Sequence, residues 1–124
     1  MSIVNWYFGW LLISLGFAIG ATLGLGFHRE DFLGGYSSLR RRLCRLGHIS
    51  MPALGMFNVL FAIATPVSEM WYAQGAVVAW IVGGVTMPLV CFLSAWRTQF
   101  RHAFFVPVTA LLTAVALTLL GGPA

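Results

Sequence analysis

His28, His48 and His102 are the three histidines of the chain, and each falls within about one turn of an arginine at the edge of a long apolar run. Imidazoles at matching depth on separate helices suit a bis-imidazole haem b site or a metal centre, because the ligands must converge on one ion from different walls. His48 and His102 form the best expected pair, with His28 as a substitute or supporting group. A quinone headgroup is the other cofactor this chemistry fits, with Trp80, Trp96 or Phe104 as aromatic walls. The plainer reading is interfacial: each imidazole bonds to lipid phosphates, to helix-end groups or to Glu30 or Asp31.

A second constellation is built around His48. Cys44, His48 and Met51 are spaced i, i+4 and i+7, so a helix places them on one face. Thiolate, imidazole and thioether together suit a soft metal such as Cu(I). Cys44 and Cys91 are expected as free thiols or ligands, since a cytoplasmic edge is reducing. His102 heads a stripe with Thr109 and Thr113, although threonines in helices commonly bond to their own backbone. Asn58 is the remaining polar candidate inside an apolar run.

All seven basic residues are arginines. Arg29, Arg40, Arg41, Arg42 and Arg45 lie between the first and second apolar runs, and Arg97 and Arg101 between the third and fourth. Glu69 is the one charged residue of the middle connection. Such one-sided basicity predicts cytoplasmic arginine-rich connections and both termini on the opposite face, in a bacterial inner membrane. Arg40, Arg41, Arg42 and Arg45 are expected to contact anionic lipid phosphates. The chain has no room for a soluble recognition module, so its +4 net charge is not read as a nucleic-acid surface.

These side chains have to be positioned by membrane helices. The chain of 124 residues is 60% hydrophobic and 8% charged, against roughly 45–50% and about 25% in soluble domains. Water is therefore not its main solvent. Residues 3–27, 49–67, 70–96 and 103–120 are continuous apolar runs, each long enough as a helix to cross about 30 Å of hydrocarbon. They lack the alternation of a barrel strand, and helices satisfy the backbone internally. The expected fold is all-α: a polytopic four-transmembrane-helix bundle forming one integral membrane domain over residues 1–124. The first run lacks a basic leader and is read as a retained span.

Between the first two spans, Leu39, Leu43 and Leu46 follow at helical spacing after Ser37 and Ser38, either of which can cap a helix. This predicts a short amphipathic interfacial helix that bends or runs into the second span, with leucines toward lipid or bundle and arginines outward. Gly16, Gly20 and Gly24 predict a packing groove on the first span. Gly75, Ala79 and Gly83, then Ala103, Pro107, Ala110 and Ala114, predict weaker versions on the third and fourth. Pro52, Pro88 and Pro107 fall within spans, where each is expected to free the carbonyl four residues earlier, that of His48 in the case of Pro52. Trp6, Tyr7, Trp10, Trp71 and Tyr72 mark one interface and Trp96 and Phe100 the other.

No ionisable side chain stands in the middle of a span, which disfavours proton-coupled transport. Small four-helix multidrug exporters resemble the chain in length, but their membrane-embedded glutamate has no equivalent in residues 3–27. Small fluoride channels share the size and helix count, yet their dual topology disagrees with the arginine bias. Hydrolase, P-loop and dinucleotide motifs are missing. The leading expectation is a small non-catalytic subunit or scaffold of a larger membrane complex, respiratory or photosynthetic in kind, with other membrane subunits or further copies as partners. A haem- or quinone-binding electron-transfer protein is the alternative, and a copper carrier the third reading.

Overall fold

The computed structural model describes residues 1–66 and 68–123; Val67, the last residue of the second expected span, and Ala124 lie outside the described residues. Helices α1 (Ile3–Gly26), α2 (Leu39–Ala64), α3 (Trp71–Trp96) and α4 (Phe105–Gly121) follow in order, with 3₁₀ turns at Phe32–Gly34 and Thr98–Phe104. All four are long and apolar enough to cross a membrane once the turn Thr98–Phe104 is joined to α4. The chain is an integral membrane four-helix bundle by this measure.

Local chemistry sets the helix ends. The Ser2 hydroxyl accepts from the Asn5 N–H at the start of α1, and the Ser38 hydroxyl accepts from the Arg41 N–H at the start of α2, each satisfying an otherwise orphaned donor. Leu33, Gly34 and Gly35 all have positive φ, which reverses the chain sharply between the two helices, and Ser38 donates back to the Leu33 carbonyl at 2.6 Å. Pro66 follows the end of α2, where its ring disfavours a helical Thr65. Gly122 ends α4 with φ 67°, a conformation that favours glycine.

Antiparallel register is fixed by close approaches. Built as alanine, Gly9 would place its Cβ 2.6 Å from the Gly55 carbonyl oxygen, and Gly16 its Cβ 2.6 Å from Pro52 Cδ. Further along, Gly20 lies against the His48 ring. On the next seam Gly47 faces Cys91 and Phe92, and on the last Gly83 faces Leu111 and Gly75 faces Leu117. Each helix therefore runs back along its chain neighbour, and α4 is held mainly by α3.

Two expectations are corrected here, for Gly24 and Pro107, and a third, for the amphipathic segment, is met. Gly24 lies outside the groove, with nothing among the described residues within 4 Å of where its Cβ would be. The physical reason is rotation: a straight helix turns about 40° past a full circle for every four residues, so an every-fourth stripe leaves the contact. The true groove runs through Gly9, Gly16 and Gly20, since a spacing of seven drifts by only about 20°. The amphipathic segment runs into the second span, one of the two forms expected of it, and is the first part of α2. Its inward face carries Arg41, Cys44, Gly47, Met51, Leu54, Gly55 and Asn58, while Leu39 and Leu46 are 53% and 46% exposed. Leucine facing lipid sacrifices no hydrophobic energy, so small and polar groups can share the inside with Leu54. Pro107 does not interrupt a helix: α4 begins at Phe105, so Pro107 sits in the first turn, where its missing N–H is not needed.

Introducing Gly9→Val should destabilise the bundle by about 1–3 kcal/mol, because a backbone carbonyl cannot move aside as a side chain can. Gly24→Val should be near neutral. Denaturant titration in detergent, followed by circular dichroism, reads both, and equal losses would refute this placement of the α1–α2 seam.

Candidate functional site

Polar side chains gather at two places: in the core, near the end that carries the chain termini, and at the arginine-bearing end. In the core, Asn5 and Asn58 are completely buried. The Asn5 Nδ2 donates to Asn58 Oδ1 at 2.8 Å and to the Val77 carbonyl at 3.3 Å, while its Oδ1 accepts from the Ser2 hydroxyl at 2.6 Å. The Asn58 Nδ2 donates in turn to the carbonyls of Leu54 and Trp80, at 2.9 and 3.3 Å. Both amides thus use their donors and acceptors across α1, α2 and α3. Trp80 extends the chain of contacts: its Nε1 donates to Thr118 Oγ1 at 3.0 Å on α4, and Thr118 donates to Ala114. Gly84 makes room for this arrangement, since a Cβ there would meet the Phe8 ring at 2.8 Å and Asn58 Nδ2 at 3.4 Å.

The sequence marked Asn58 but missed Asn5 and the pairing. The missed signal is that an amide inside an apolar run needs a partner on another helix. Of the polar stripe on the last span, Thr109 donates to the Phe105 and Val106 carbonyls of its own helix.

At the other end, the histidines have different surroundings. His48 is partly buried and its Nδ1 lies 2.9 Å from the Gly16 carbonyl oxygen; a carbonyl only accepts, so this contact makes Nδ1 the donor. The ring occupies the space that a side chain at Gly20 would need, and so it ties α2 to α1. His28 and His102 are exposed. Cys44 and Met51 are buried on the same α2 face as His48. Among the described residues, no group of three or more His, Cys, Asp or Glu side chains is arranged to hold a metal ion.

The arginines divide. Arg40 and Arg42 are exposed and Arg45 is partly so, as lipid contact requires. Arg41 is corrected: it is only 2% exposed and points into the protein. Its guanidinium lies 4.5 Å from the Phe27 ring centre and 4.6 Å from that of Tyr36. Its Nη2 donates to the Phe27 carbonyl at 3.5 Å, at the C-terminal end of α1, where the helix dipole favours a cation. Flat guanidinium stacking and a helix-end carbonyl outweigh the attraction of distant headgroups, so Arg41 clamps the first connection. Its Nη1 is buried without a partner among the described residues.

Arg40 reaches α3, its Nε donating to the Ala95 carbonyl at 2.9 Å. A cavity of 640 Å³ opens beside this bond, lined by Arg40, Ser94, Arg97, Thr98 and Gln99 among others. The buried Ser94 hydroxyl has no partner among the described residues. Sequence reasoning placed Arg97 at this interface but gave no sign of Ser94 or of the cavity.

No family model matches the chain, and no similar protein was found among curated proteins or solved structures.

Replacing Asn58 by Leu should cost about 2 kcal/mol, since it leaves the Asn5 amide buried with fewer partners. A double-mutant cycle of Asn5→Ala and Asn58→Ala should show a coupling of about 0.6–1.7 kcal/mol, the range for interhelical bonds inside membranes; additive losses would mean the two amides act separately. Arg41→Ala should lower stability by about 1–2 kcal/mol, with little recovery in Arg41→Lys, which lacks the planar stacking surface. Thermal unfolding of the three proteins distinguishes this clamp from a simple requirement for charge.

Proposed function

We propose that this protein is a small non-catalytic subunit or scaffold of a larger membrane assembly, respiratory or photosynthetic in kind. The observation that carries the reading is the outer groove between α3 and α4. It is an open hollow of 690 Å³ lined by Gly75, Val78, Ala79, Val106, Ala110 and Thr113 among others. Small residues on two adjacent helices allow a third helix to approach closely, and close packing drives helix association where lipid removes the hydrophobic difference. The occupant proposed for it is a transmembrane helix of another subunit or of a second copy.

The orientation belongs to the same proposal. Arginines at the α1–α2 and α3–α4 connections are placed on the cytoplasmic side of a bacterial inner membrane, with both termini on the far side. Anionic headgroups then meet Arg40, Arg42 and Arg45.

Native mass spectrometry of the chain, extracted in mild detergent from its own membrane, tests the assembly. The expected result is added mass equal to another polypeptide or to further copies, lost in Ala110→Phe, which fills the groove. A single chain without added mass would overturn the subunit reading, and added mass of haem, quinone or copper would replace it with a redox or carrier function. For orientation, Glu69→Cys should react with an impermeant maleimide on intact cells and Thr98→Cys only after lysis; the opposite pattern would reverse the topology.

A further inference from the structure

We infer that the cavity between the start of α2 and the end of α3 is a binding site for a phosphate group, carried by an anionic phospholipid. The cavity is distinct from the outer α3–α4 groove; the inference rests on the proposed contact of Arg40 with anionic headgroups, which it deepens, and not on the subunit reading.

Charge is the first argument. Arg40 and Arg97 both line the cavity, and none of its lining residues is acidic. Among the described residues, the one ion pair is Arg29 with Asp31 at 3.7 Å, so neither cavity arginine is neutralised by a carboxylate. Arg40 is held in place by its Nε bond to Ala95, which leaves its two terminal nitrogens for an anion. Arg97 stacks over Trp96 with its central carbon 5.1 Å from the ring centre, which also leaves its guanidinium edge open. A guanidinium with open terminal nitrogens suits phosphate oxygens, which accept paired hydrogen bonds from it.

The second argument is the orphaned hydroxyl. Ser94 is 1% exposed, lines the same cavity, and its Oγ has no partner among the described residues. Other helix hydroxyls of this chain bond to a carbonyl of the preceding turn, as Ser14, Thr22 and Thr86 do. A buried hydroxyl without a partner is disfavoured, and a change of the Ser94 rotamer would turn it to a phosphate oxygen in the cavity that the residue lines.

The third argument selects the lipid. A second hollow, of 240 Å³, shares Arg40, Ala95 and Trp96 with the first and is otherwise lined by Leu33, Cys44 and Phe92. A free phosphate has no use for such a wall. A phospholipid does: its headgroup meets the arginines while the glycerol and upper acyl chain follow Leu33 and Phe92 toward the bilayer.

The test uses the full chain in phosphatidylcholine nanodiscs containing a minor share of phosphatidylglycerol, with lipids retained after release counted by native mass spectrometry. Wild type is expected to retain phosphatidylglycerol at one per chain. Arg40→Gln and Arg97→Gln should each lower that occupancy by about tenfold, the effect of losing one charged hydrogen-bonding partner. Ser94→Ala should lower it with helical content and melting temperature unchanged, a result that a purely structural serine would not give. Arg101→Gln, an exposed arginine outside the cavity lining, should retain the lipid. An equal fall in Arg101→Gln would mean diffuse attraction to the membrane surface and would overturn the site, as would the absence of any retained lipid together with no response to inorganic phosphate. Millimolar inorganic phosphate that raises the melting temperature in wild type but not in Arg40→Gln, without lipid retention, would keep the phosphate site and overturn the lipid as its source.

Discussion

The Asn5–Asn58 pair is the contact on which the rest of the bundle depends. Inside a bilayer an amide has no water to turn to, so each of these side chains must find its partners within the protein. Asn58 meets them on α2 and α3 as well as on α1. That requirement sets the rotation of three helices at once, because a modest turn of any one would strand a donor. The ring of Trp80 then carries the arrangement to Thr118 on α4, with Phe57 stacked on it at 5.8 Å. Hydrophobic burial alone could not choose among rotations, since leucine is equally at home against lipid and against another helix.

Close backbone approach is the second constraint, and it follows from the first. For Asn5 to reach Asn58, α1 and α2 must come together where Gly9 and Gly55 face each other, and neither position has room for a Cβ. His48 uses the same device further along, its ring lying over Gly20 and its Nδ1 bonding to Gly16. One histidine is thereby committed to helix packing while the other two remain exposed. The interior of α2 consequently mixes small, polar and sulfur-bearing groups with Leu54, Val59 and Phe61, while Leu39, Leu46, Leu60 and Ile63 face outward.

The arginine end is where the bundle presents charge. Arg41 is taken inward by Phe27, Tyr36 and the end of α1, whereas Arg40 crosses to the end of α3 and opens a cavity beside Ser94. Neighbouring residues in the sequence thus have opposite fates, one a clamp and the other part of a ligand surface. Helical rotation of about 100° per residue is enough to separate them.

Composition by itself determined that this is a helical membrane protein, because four long uncharged runs leave no other way to satisfy the backbone in hydrocarbon. A helix start was legible where a local signal existed, at Ser37 or Ser38, of which Ser38 caps α2. The faces were not legible, since apolar residues cover every side of a membrane helix and the periodicity that reveals a soluble core is missing. Hence the pattern leaves Leu39 and Leu46 open to lipid or bundle, and it points Arg41 outward and Gly24 into a groove, where the structure has neither. The Asn5–Asn58 pair joins residues 53 positions apart, and the Ser94 cavity joins the start of α2 to the end of α3. Contacts of that kind depend on the relative rotation and depth of separate helices, which the tertiary structure decides through close packing and the satisfaction of buried polar groups.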